Sequence, residues 1–171
     1  MCRYSGAELR RHQHSAPVRM VQLANAFGLE VYSSAFRGTE DISGMLRKED
    51  GGYAIYVNKA HHRNRRRFTI AHALAHYILH KDVIGNGIVD DALYHSGLGS
   101  KMEVEANNLA ADILMPWHLL AEESLGETPL QELANKYQVS TGAMAIRLQV
   151  PVVAVEYAAA EPEQEPYATA S

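Results

Sequence analysis

Cysteine is almost missing from this chain: 171 residues contain one, Cys2. One thiol closes no disulfide within a chain and builds no cysteine-rich zinc knuckle, so a reducing, intracellular setting is expected. Long apolar runs are missing too. No window of about 18 apolar residues occurs, and no membrane span is expected. The opening MCRYSGAELRRHQHSAP is basic and polar and lacks an apolar signal core, which makes the cytoplasm the expected location. Charge of one sign is scarce. A net charge of −4 gives no general pull toward nucleic acid or an anionic membrane. With 47% apolar and 21% charged residues, the chain can still bury a real core. Histidine is the exception to this plainness: there are nine, which turns attention to metal or acid–base chemistry.

The pattern along the chain predicts an α+β domain. Residues 1–14 read as a flexible arm. A helix is expected from Ser15, with Pro17 in its first turn, to Gly28. LEVYSS (29–34) reads as a strand. SGMLRKE (43–49) and YAIYVN (53–58) flank Asp50-Gly51-Gly52 as a hairpin, the second strand with one buried face. A long apolar helix over about residues 65–80 follows, then a glycine-rich loop stretch to Ser100. A second long helix should span 101–115 and stop at Pro116. The sheet is expected to be small, about three strands. The expected units are residues 15–117 as the main domain and 118–150 as a C-terminal helical subdomain. Residues 151–171 make an acidic, low-complexity tail, expected to be disordered.

The chemistry lies in FTIAHALAHYILH, residues 68–80. His72 and His76 are four residues apart, hence one turn apart on one face of a helix. Two ring nitrogens so placed can hold one zinc ion, which accepts neutral imidazole in a tetrahedral site. The surrounding apolar residues bury the pair, and buried imidazoles need partners. On a helical wheel of KMEVEANNLAADILMP, Glu103 falls on the apolar side, with Asn107 one turn later, while Glu105 falls on the polar face. A carboxylate aimed into a core is costly unless it meets a charge, which nominates Glu103 as third ligand and Asn107 as the group that orients a ligand. His80 reads as a helix C-terminal cation, and His61 and His62 as surface residues.

The run RRRFTIAHALAHYILH followed by EVEANNLAADILMP resembles the ImmA/IrrE family of zinc metallopeptidases. The family pattern is RxFTxAHELGHxxLH, then a Glu-x-x-Ala-Asn/Asp segment ending in LLMP. The resemblance covers residues 17–150. It implies zinc ligation by His72, His76 and Glu103 and a zincin-like core of gluzincin type. It also implies endopeptidase action on a partner helix-turn-helix repressor of the Xre kind, in a stress-response, mobile-element or toxin–antitoxin module. The chain departs from the pattern at Ala73, where the family has glutamate, and at Ala75, where it has glycine. In an H-E-x-x-H peptidase that glutamate takes the proton of the attacking water and passes it to the leaving amine, a contribution of roughly 10²–10⁴ in rate. Alanine does neither, so a metal-binding chain with little or no cleavage is expected. The alternative is a non-catalytic regulator that sequesters a repressor or toxin in the same cleft. His95, in the loop between the two motif helices, is a candidate oxyanion stabiliser, with a polar loop residue as the plainer reading.

ETPLQELANKYQVSTGAMAIRLQV (127–150) has the shape of a helix-turn-helix, with a capping-box start at Thr128 and a second cap at Ser140. It offers only Lys136 and Arg147 to a DNA surface, beside the acidic AEESLGE, so direct DNA binding is not expected.

Overall fold

The computed structural model describes residues 6–37, 41–91, 99–150 and 168–169. The sheet has the order β4-β2-β3-β1-β5, built from β1 (Leu29–Ser34), β2 (Ile42–Glu49), β3 (Gly52–Asn58), β4 (Gly87–Asp91) and the two-residue β5 (Ala168–Thr169). β2 and β3 form the expected antiparallel hairpin, closing at Glu49↔Gly52 around Asp50 and Gly51. β1 runs parallel to β3, and β4 antiparallel to β2. β3 is therefore central and is buried from Ala54 through Asn58, not on one face alone. The expectation of about three strands is also corrected: β4 lies in the stretch read as loop. It begins at Gly87, whose φ of +131° and close approach to the Leu46 carbonyl admit no side chain.

The helices are α1 (Gly6–Arg10), α2 (Met20–Ala26), α3 (Arg63–His80), α4 (Ser100–Leu114), α5 (Trp117–Leu120), α6 (Leu130–Tyr137) and α7 (Thr141–Leu148). α3 is capped by the His62 ring, which accepts from the Asn64 amide. It packs across the sheet and is buried almost all round. Where it crosses β2, Gly44 leaves room: a Cβ there would stand 2.6 Å from Thr69 Cγ2.

Three expectations change. Residues 6–13 are packed and not a loose arm, because Leu9 joins the core and the Gln13 side chain donates to the carbonyls of Asp112 and Ile113. The helix expected from Ser15 starts at Met20, since Arg19 is still extended at φ −79°, ψ 93°. α6 begins after Pro129 without a side-chain cap from Thr128, whereas Ser140 does cap α7. One hydrophobic cluster holds Leu133, Tyr137 and Met144 together with Ile55, Leu74 and Ile113, so the core is continuous across residues 117–118. Of the tail, only residues 168–169 are described, paired with Tyr32 and Ser33 of β1. No helix among the described residues is long and apolar enough to cross a membrane.

Candidate metal centre

α3 supplies two donors and α4 the third. The Nε2 atoms of His72 and His76 lie 3.1 Å apart. Glu103 Oε2 is 3.4 Å from His72 Nε2, and Oε1 is 3.6 Å from His76 Nε2. All three residues are buried. Donors about 2.0–2.1 Å from a tetrahedral ion stand about 3.3 Å from each other, so these separations match a metal-sized gap. The donor set also has the right protonation. Burial lowers the pKa of His72, against the opposing pull of the Glu103 carboxylate. Burial first, and His72 second, push His76 down to about 4. Both rings are then neutral near pH 7, as ligation requires.

Each ring is also held from behind. Asn107 interacts with the His72 side chain and, like Glu103, opposes the lowering of its pKa by burial. Phe68 stacks on the same ring at 6.0 Å between centroids. His76 Nδ1 lies 3.1 Å from His80 Nδ1, and His80 Nε2 lies 3.1 Å from Glu105 Oε2. Two sequence expectations are corrected here. His80 is 5% exposed and faces the centre, and is not a solvent-facing end charge. Glu105 is half-exposed, yet its carboxylate reaches back to α3. An isolated helical wheel does not include the crossing of α3 and α4, which lets two carboxylates of α4 reach α3. The i, i+4, i+8 spacing of His72, His76 and His80 is the signal that could have exposed the third ring.

Ala73 is buried beside the donors, 1% exposed, and places no titratable group there. His95 lies outside the described residues. Among those described, His72, His76 and Glu103 are the one group whose donor atoms, all within 4.8 Å, could hold a metal.

Residues 19–149 match the M78 peptidase family, described as the IrrE N-terminal-like domain. The chain belongs to the ImmA/IrrE family. It is similar to the radiation response metalloprotease IrrE of Deinococcus radiodurans, 36% identical over 118 residues that cover 66% of this chain and 36% of that protein. The ImmA/IrrE chain thus spans about a third of the length of this curated relative. Among solved structures it is similar to a Mycobacterium tuberculosis transcriptional regulator, with a TM-score of 0.54 and 19% identity, covering 84% of this chain and 46% of that one. That likeness concerns the fold. The family is one of metallopeptidases, and the three-donor cluster is where a metal fits.

Proposed function

We propose that the chain is an ImmA/IrrE-type zinc endopeptidase core in a form without its general base. Its fold would be a gluzincin-type zincin followed by a helix-turn-helix-like subdomain in α6–α7. The substrate would be a partner transcriptional repressor of the helix-turn-helix class, in a stress-response, mobile-element or toxin–antitoxin module and hence in the cytoplasm. Direct DNA contact has no part in this reading. The observation that carries it is the buried triangle of His72, His76 and Glu103, together with family membership.

A zinc ion held there supplies Lewis acidity toward a peptide carbonyl. His72 and His76 offer neutral nitrogens, Glu103 offers the charge that balances the ion, and Asn107 fixes the His72 ring. Position 73 is where the proton carrier belongs. Ala73 holds no proton, so zinc binding persists while peptide cleavage falls.

The intact donor set around Ala73 also favours a second reading: a regulator that keeps its metal and binds a repressor or toxin without cutting it. One experiment separates the two. The wild-type chain should bind about one zinc per molecule, and His76→Ala should lose it. Ala73→Glu, incubated with a candidate repressor, should then cut it at one site, with a gain of roughly 10²–10⁴ in rate that a chelator abolishes. Tight binding without cleavage by the Ala73→Glu variant establishes the regulator. Absence of zinc from both proteins overturns the metal reading.

A further inference from the structure

Behind the three donors runs a line of polar contacts that the proposed reaction does not use. It starts at Glu105 Oε2 on α4, passes through His80 Nε2 and Nδ1 at 3.1 Å, and ends at His76 Nδ1 a further 3.1 Å on. Its middle member is buried and its outer member half-exposed. The remaining nitrogen of His76, Nε2, faces His72 and Glu103.

The chemistry of the end member orders the line. An ionised carboxylate can only accept a hydrogen bond. His80 must therefore present its N–H at Nε2. With one proton on its ring, His80 then has a lone pair at Nδ1 and can only accept there. His76 must donate at Nδ1, and its lone pair is left at Nε2, on the side of the donor triangle. Reversing the His76 tautomer would put an N–H into that triangle and set two lone pairs against each other at the His76–His80 contact.

We propose that Glu105 and His80 are positioning residues that hold the tautomer of His76, so that Nε2 is presented ready to bind a metal. A ligating histidine commonly donates its other N–H directly to a carboxylate or a carbonyl. Here a second imidazole is interposed, and the fixing charge stands two residues from Glu103 on the same helix. α4 thus grips α3 twice, once at the donors and once at the relay. The inference rests on the reading of His72, His76 and Glu103 as a metal centre, but the tautomer itself is observable without metal.

The test uses the full chain in its metal-free and zinc-loaded states. Long-range ¹H–¹⁵N spectra of the metal-free chain should show His76 protonated at Nδ1 and bare at Nε2, and His80 protonated at Nε2. His80→Leu keeps bulk but removes both polar atoms. It should mix the His76 tautomers and weaken zinc binding by about 10- to 100-fold, read by competition with a chromophoric chelator. His80→Gln can accept from His76 through its oxygen and donate to Glu105 through its nitrogen, so it should restore the wild-type tautomer and affinity. A merely structural role for His80 predicts no such rescue. If His80→Leu fails to fold, Glu105→Ala at the half-exposed end replaces it, and should release the His80 and His76 tautomers. Protonation of His76 at Nε2 in the wild-type metal-free chain overturns the proposal, as does unchanged zinc affinity in whichever of these two variants folds. A wild-type chain with the expected tautomers that takes up no zinc would instead overturn the metal reading and leave the relay standing.

Discussion

Gly44 and Ala73 both place small residues where larger ones would matter, for opposite reasons. At Ala73 the missing side chain removes chemistry. At Gly44 it permits packing: a Cβ would sit 2.4 Å from the Tyr56 carbonyl oxygen and 2.6 Å from Thr69 Cγ2. The first neighbour is backbone in the central strand and the second is a fully buried residue of the helix that carries the histidines, so neither yields cheaply. Gly44→Ala is expected to destabilise the fold by about 1–3 kcal/mol, the usual cost of overpacking. Urea denaturation measures it, and an unchanged midpoint would show that α3 does not rest on β2 in this way. The site residues divide by the same logic of local against distant information. His72 and His76 could be found from spacing alone, and Glu103 and Asn107 from their positions on the apolar side of one helix. His80 lies on the same spacing, but its meeting with Glu105 could not be found this way, because it depends on how two helices cross.

At the scale of elements, the long helices and the hairpin were legible in the sequence because each carries its own signal. α3 and α4 have runs of apolar residues with clear stops, and Asp50-Gly51 dictates a tight turn. β4 was hidden because its opening glycine serves a close approach to Leu46 that only the paired strand reveals. α1 was hidden because it is held by one buried leucine and, just past its end, by Gln13, whose partners Asp112 and Ile113 lie about a hundred residues away. Arg67 is another contact of this kind. It stands at the end of the basic run 59–67 and is almost wholly buried. It donates through Nη2 to the Val18 carbonyl at 2.9 Å and through Nε to the Gln138 carbonyl at 3.3 Å. One guanidinium thus ties α3 to the segment before α2 and to the turn between α6 and α7. Arg67→Leu leaves two carbonyls without this donor and is expected to cost about 3 kcal/mol or more, since hydrogen bonds to charged groups are worth about 1.5–3 each. Arg67→Lys should not rescue it, because a single ammonium lacks the fork that spans both acceptors. Thermal melts of the three proteins decide this; a lysine variant as stable as the wild type would refute the two-point clamp.

For the whole molecule, building a metal centre into the core links stability to pH. His72 and His76 lie in the same interior that holds Leu74 and Ile113, and burial lowers both pKa values, that of His76 to about 4. The unfolded chain has ordinary histidines near about 6.5. Between those limits the unfolded state binds more protons than the folded one, so stability rises with pH across this window and is lost as pH falls through it. The metal-free chain should therefore melt progressively lower as pH is taken from 7 to about 5.5, a range above the ordinary titration of carboxylates. Replacing both rings, His72→Gln with His76→Gln, should flatten that dependence. Added zinc binds only the folded donor set and should raise the melting temperature at pH 7. The gain is about 2.7 kcal/mol when free zinc is a hundredfold above its dissociation constant. In the double variant zinc should have no effect. A metal-free chain whose melting temperature stays level from pH 7 to 5.5 would mean that water reaches the imidazoles in solution, and the buried triangle would then be open to solvent.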